Sequence, residues 1–72
     1  MGVSYNRLWK LLIDRKLSKS DLRKMVGLAP NTMTKLNKDE EVRLEVLDRI
    51  CEALKVDYGD IMSHTTTQEE DI

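Results

Sequence analysis

Two helix-breaking residues near the middle of the chain, Gly27 and Pro30, constrain its fold more than any other feature. Gly tolerates the left-handed backbone at a helix C-terminus, and Pro suits the first position of a helix, where its missing N–H would be unpaired anyway. Because only two residues separate them, one helix must end and another begin within a tight turn. Ser18 and Asp21 have the spacing of a capping box, which predicts the start of the first of these helices.

Apolar residues recur at helical spacing through most of the chain and predict further helices. In chain order the apolar stripes are Tyr5, Leu8, Trp9, Leu12 and Ile13, then Leu22, Met25 and Val26, then Met33 and Leu36, then Leu44, Leu47, Ile50, Cys51 and Leu54, and finally Tyr58, Ile61 and Met62. Ser4 is the predicted N-cap of the first helix, which ends near Lys16, and Asp57 caps a final short turn or helix. No alternation long enough to build a sheet is present.

These stripes predict an all-α domain over residues 1–62, with residues 63–72 as a disordered acidic tail. Seventy-two residues leave room for one domain only. Cys51 is the single cysteine, so no internal disulfide can form, and a reducing cytoplasm is expected. The longest apolar run, Leu11-Leu12-Ile13, is far shorter than the roughly 20 residues that span a bilayer. We therefore expect a soluble, unanchored, cytoplasmic protein.

The formal net charge of −1 is the sum of two halves of opposite charge. Residues 1–38 contain nine basic and two acidic side chains, a net charge of +7, whereas residues 39–72 contain three basic and eleven acidic ones, a net charge of −8. Such asymmetry indicates a polyanion as the partner of the basic half, although charged surface helices also serve solubility.

Residues 19–38 combine the two helices, the tight turn and a polar outer face. Met33 and Leu36 are predicted to face inward on the helix that begins at Pro30, which leaves the opposite face free. That free face carries Asn31, Thr34, Lys35 and Lys38. This arrangement is the helix-turn-helix unit, whose second helix enters the major groove of DNA.

Over most of residues 5–62 the sequence resembles the Cro and phage-repressor (XRE-like) family of bacterial helix-turn-helix regulators. The family's turn glycine falls on Gly27, and the segment LEVLDRICEALKVDYGDI looks like its fourth and fifth helices. The apolar positions of its twenty-residue unit fall on Leu22, Val26, Leu28, Met33 and Leu36. The chain departs from the family at Arg23, where a small residue is usual, and in the acidic run at residues 39–41, a loop that often approaches the DNA backbone.

The resemblance implies a compact five-helix, λ-repressor-like domain that acts as a sequence-specific, repressor-like transcriptional regulator. It also implies a homodimer that binds double-stranded DNA, with a dimer surface around Tyr58, Ile61 and Met62. Two half-sites one helical turn apart are the usual way to extend the few base pairs that one helix reads.

Carried over by position, the resemblance also assigns DNA contacts. The base-reading positions correspond to Ala29, Pro30, Asn31, Thr32 and Lys35. The phosphate-contacting candidates are Lys19, Thr34, Lys38 and Arg43. The chemistry is suitable, because Asn can bond bidentately to adenine, Lys can donate to guanine, and Thr or Ala methyl groups can meet the thymine methyl.

Other classes of function have weaker support. Cys51 lies within an apolar stripe, and His64 stands apart from other metal-ligating residues, so neither predicts catalysis, a cofactor or a metal site. Tyr5 and Trp9 are expected in the core, and no small-molecule ligand is evident. The alternative to DNA binding is a protein-interaction adaptor or antitoxin-like module that uses the same fold and docks its acidic half on a basic protein.

Overall fold

The computed structural model describes residues 2–65, and this part of the chain folds into four α-helices, one 3-10 helix and a two-stranded sheet. In chain order these are β1 (Gly2–Ser4), α1 (Asn6–Asp14), α2 (Lys19–Val26), α3 (Pro30–Asn37), α4 (Leu44–Leu54), the 3-10 helix (Tyr58–Asp60) and β2 (Ser63–Thr65). None of the helices described is long and apolar enough to cross a membrane.

The core lies between the helices and is made mainly of leucine and isoleucine. Its most deeply buried side chains are Tyr5, Leu8, Leu22, Leu36, Ile50, Leu54 and Ile61. Every α-helix contributes to it, and α2 packs against both α1 and α4. Burial of this apolar surface is the main favourable term that holds α2 and α3 in a fixed relative orientation.

The prediction of five helices is correct for the first four and wrong for the fifth. The last helical segment is a single 3-10 turn, Tyr58–Asp60. Asp57 caps it as predicted, because its carboxylate accepts a hydrogen bond from the Tyr58 N–H at 2.8 Å. The segment ends at Ile61, whose side chain is buried in the core, and the chain is extended again from Ser63, where β2 begins.

The absence of a sheet was also predicted wrongly. β1 and β2 pair antiparallel, with Gly2 opposite Thr65 and Ser4 opposite Ser63. Residues 63–65 therefore form a strand rather than the beginning of a disordered tail, and residues 66–72 lie outside the described part. Strands of three residues are too short to show alternation, and their pairing joins segments that lie about 60 residues apart in the sequence.

Three apolar residues predicted to face the core are exposed: Ile13 by 73%, Met25 by 50% and Leu44 by 63%. Ile13 and Leu44 lie at the ends of their helices. Met25 lies in α2, which buries only Leu22 fully. At 100° per residue, Met25 and the half-buried Val26 lie on opposite sides of Leu22, so the narrow contact face of α2 leaves Met25 in solvent.

The start of α1 differs from its prediction because Tyr5, not Ser4, is the N-cap residue. The Tyr5 side chain is 1% exposed, and its hydroxyl donates to the Glu40 carbonyl at 2.8 Å. Its backbone N–H donates to Asp39 Oδ1 at 3.0 Å. The loop after α3 is thereby tied to the beginning of α1.

Candidate nucleic-acid interface

α2 begins at the predicted capping box. Ser18 Oγ accepts a hydrogen bond from the Asp21 N–H, and the Asp21 carboxylate accepts one from the Ser18 N–H, each at 3.0 Å. Hydrogen bonding to the carboxylate by the Ser18 backbone N–H, and to a lesser extent by the Ser18 side chain, holds the pKa of the Asp21 carboxyl below its usual value, since it favours the charged form. The start of α2 is fixed by local chemistry that the sequence shows directly.

The turn between α2 and α3 also has the predicted geometry. Gly27 has φ 75° and ψ 42°, in the left-handed region. The N–H groups of Gly27 and Leu28 both donate to the Arg23 carbonyl, at 2.8 and 3.0 Å. These bonds satisfy the end of α2, and Leu28 then enters the core at 5% exposure. α3 begins two residues later at Pro30, which occupies the first turn as predicted.

α3 is anchored by one face and presents the other. Met33 and Leu36 are buried, at 9% and 0% exposure, whereas Asn31 and Lys35 are exposed. The N-cap Ala29 has no side-chain group to cap the helix, so the N-terminal end of α3 is not covered by a capping side chain. A helix that is anchored by two buried apolar side chains and carries amide and ammonium groups on its outer face can insert that face into the major groove of DNA.

The five base-reading candidates lie together at the start and on the outer side of α3. Ala29, Pro30, Asn31 and Lys35 are exposed, and Thr32 is half-buried. Their positions are compatible with the contacts that the resemblance implies, and those contacts remain a prediction.

The four phosphate candidates are also exposed, but they lie on three elements. Lys19 is the first residue of α2, Lys38 follows the last residue of α3, and Arg43 is the N-cap residue of α4. Thr34 differs from them, because its hydroxyl donates to the Pro30 carbonyl at 3.0 Å. Thr34 would have to break this hydrogen bond before it could donate to a phosphate.

The two departures from the family pattern have physical explanations. Arg23 is exposed, so a long side chain is tolerated at this position on α2. In the acidic run, the Asp39 carboxylate accepts the hydrogen bond from the Tyr5 N–H, and Asp39 itself has φ 57°. Asp is one of the few residues that adopts this conformation readily. Asp39 therefore serves the fold, a role that the sequence analysis missed.

Sequence analysis also missed the environment of Lys19. Its ammonium lies 4.2 Å from the centroid of the Trp9 ring and donates to Asn37 Oδ1 at 2.7 Å. Trp9 is half-buried, so it contributes to the core and also offers a ring face to a cation. Nothing in the sequence signals this group, because its three members lie on three helices and meet only after packing.

The described residues hold little else that could carry chemistry. Burial raises the pKa of the Cys51 thiol, and the nearby carboxylates of Asp57 and Asp48 raise it further, so the reactive thiolate is disfavoured. Between residues 2 and 65, no cluster of three or more His, Cys, Asp or Glu side chains is placed to hold a metal ion. His64 lies exposed on β2.

Comparison with known proteins adds two findings. A family model described as the Cro/C1-type HTH DNA-binding domain matches residues 7–67. A crystal structure of the transcriptional regulator VanUg, Form II, is similar to this chain with a TM-score of 0.90 and 52% sequence identity, over 92% of this chain and 88% of that one. Comparison with curated proteins gives no match.

Proposed function

This chain belongs to the Cro/C1-type helix-turn-helix DNA-binding family, and on that basis we propose that it is a transcriptional regulator that recognises a specific sequence of double-stranded DNA. The observation that carries the proposal is the orientation of α3. Its apolar residues Met33 and Leu36 are buried, so Asn31 and Lys35 are held on the outer face of the helix.

In the proposed complex the outer side of α3 lies in the major groove. Asn31 bonds to adenine, Lys35 donates to guanine one helical turn further on, and the side chains of Ala29 and Thr32 contact thymine methyl groups. Lys19, Lys38 and Arg43 contact phosphates on either side and fix the register of the helix without reading sequence.

We propose further that the protein acts as a repressor-like homodimer on a two-fold operator. Tyr58 and Met62 are half-buried and, with Val3, line an open groove of about 720 Å³, which supports an interface near the 3-10 helix. Ile61, which the sequence analysis placed on that surface, is fully buried in the core and is not available to a partner. Sedimentation of the free and DNA-bound protein tests the dimer.

The central test is selection of bound duplexes from a random pool, followed by affinity measurements at several salt concentrations. We expect one enriched motif and an affinity that falls steeply with salt, because counterions are released as several phosphates are contacted. A flat salt response, or a pool that shows no enrichment, would contradict sequence-specific DNA binding.

A second candidate function, docking of a basic protein segment, is favoured by the charge around the same groove. Asp39, Glu40 and Glu41 line this groove together with the apolar Val3, Tyr58 and Met62. Such a surface complements a peptide with cationic and apolar side chains. Glu40→Lys tests docking, because it should abolish binding of a basic peptide. Since the same groove supports the proposed dimer, its DNA affinity is compared with that of the parent on a duplex with a single half-site, where it should be unchanged.

A further inference from the structure

The ammonium of Lys19 is held by side chains from two other helices. It lies over the ring of Trp9, from α1, with 4.2 Å between Nζ and the ring centroid. It also donates to the side-chain oxygen of Asn37, the last residue of α3, at 2.7 Å. We name this group, Trp9, Lys19 and Asn37, the Lys19 clamp.

Both partners of Lys19 in the clamp are electrically neutral. An indole ring attracts the ammonium through its quadrupole and an amide oxygen accepts one of its protons, but neither cancels its charge. Arg49 shows the contrast, because it is paired with the Glu45 carboxylate at 3.7 Å. Neither partner therefore carries a countercharge, and the Lys19 ammonium has two further N–H donors for another ligand.

The clamp also restricts a side chain that is otherwise highly mobile. A free lysine loses rotamer freedom when it binds a phosphate, and that loss weakens binding. Lys19 has already lost much of this freedom, because its ammonium is fixed at both Trp9 and Asn37. Lys19 is also the first residue of α2, where the helix dipole favours an anion as well.

We propose that Trp9 and Asn37 are positioning residues, which hold the Lys19 ammonium oriented for a DNA phosphate. The inference rests on the proposed function, because it assumes that duplex DNA is the ligand. It extends that function by assigning roles to two side chains that do not themselves touch DNA.

The first measurement examines the clamp in the free protein. A cation over an indole ring perturbs its electron distribution, and Trp9 is the sole tryptophan, so its fluorescence reports the contact directly. Lys19→Met should change the emission of Trp9, whereas Lys24→Met, an exposed lysine of the same helix, should leave it as in the parent. Equal emission from all three proteins would overturn the clamp without any reference to DNA.

The second measurement is a double-mutant cycle on the affinity for a short duplex of mixed sequence at low salt. Trp9→Leu should weaken binding by about threefold when Lys19 is present, because the released Lys19 side chain must then lose its rotamer freedom on binding a phosphate. It should have no effect in the Lys19→Met background. A purely structural role of Trp9 would instead lower affinity equally in both backgrounds and would overturn the proposal.

Asn37 supplies an independent variant that does not remove core packing. Asn37→Asp keeps an oxygen at the same position but places a negative charge against Lys19. It should reduce the slope of log affinity against log salt by about the contribution of one phosphate contact, as Lys19→Met should also do. Asn37→Ala adds no charge and should leave the slope closer to that of the parent. A parental slope in Asn37→Asp would contradict the inference.

The outcomes separate this inference from the proposed function. If the parent fails to bind any duplex, both are overturned, whatever the emission of Trp9 shows. If the parent binds and the double-mutant cycle shows no coupling between Trp9 and Lys19, only the positioning role is overturned.

Discussion

Lys35 is the residue on which discrimination between bases is expected to depend most directly. Its ammonium is exposed one turn into α3. Lys35→Ala should therefore relax the preference at one base pair by about 1–3 kcal/mol and leave the other positions of the motif unchanged. Repeating the selection with the variant measures this, with Lys24→Ala as the matched control. An unaltered motif in Lys35→Ala would refute the assigned role.

Asp39 stabilises the fold, although the sequence shows it only as part of an acidic run in a loop. Asp39→Ala leaves the N–H of the buried Tyr5 without its acceptor and puts alanine at φ 57°, so it should lower the free energy of unfolding by about 1–3 kcal/mol. Asp39→Asn should lower it less, because an asparagine side chain keeps an acceptor oxygen and tolerates this φ. Urea unfolding compares both variants with Glu41→Ala, which should stay within about 0.5 kcal/mol of the parent.

At the scale of elements, the junction between α2 and α3 depends on Gly27. Gly27→Ala puts a Cβ at φ 75° and should destabilise the protein by about 1–2 kcal/mol, although the space around it is open. Gly59→Ala is the control, since a Cβ there also meets open space and no positive φ opposes it. In thermal unfolding, Gly27→Ala should therefore melt at a lower temperature than Gly59→Ala. Equal melting temperatures would contradict a cost of the positive φ at residue 27.

The start of α2 should respond to acid because of the capping box. The pKa of Asp21 is lowered in the folded state, so its contribution to stability is present above the usual carboxyl pKa of about 3.9 and is lost as the pH falls through the lower folded value. Asp21→Asn should remove this part of the pH dependence. The test is the difference in unfolding free energy between parent and variant from neutral to acidic pH, which should shrink as the pH falls.

At the scale of the whole molecule, the pairing of β1 with β2 joins the first and last elements of the described residues. A chain that ends after Met62 lacks β2, so it should unfold at a lower urea concentration than a chain that ends after Thr65, with a difference of about 1–2 kcal/mol. The two shortened chains are each other's control, because they differ only in residues 63–65. Identical unfolding curves would show that the strand pair contributes nothing measurable.

The helix-turn-helix unit could be predicted from the sequence because each of its signals is local. The Ser18–Asp21 capping box, the left-handed Gly27 and Pro30 in the first turn act on their own backbone or on residues within one helical turn. Their chemistry therefore works in the same way whatever surrounds it. The inward orientation of Met33 and Leu36 followed from helical periodicity alone.

Features that depend on distant contacts could not be predicted in this way. Ile13, Met25 and Leu44 satisfy helical periodicity, yet each lies where no other element covers it. The hydrogen bond from Tyr5 to Asp39 and the Lys19 clamp join residues far apart in sequence. Neither has a periodic or spaced pattern that a sequence could display.

The sequence by itself determined the position of the tight turn, the boundaries of α2, the start of α3 and the polar face of α3, because local backbone chemistry and helical periodicity fix these features. Only the tertiary structure decided which apolar side chains are covered, that residues 2–4 and 63–65 pair as strands, and which neutral groups surround the Lys19 ammonium. The physical reason is that burial and strand pairing need two surfaces in contact. A single stretch of sequence specifies only one of the two surfaces.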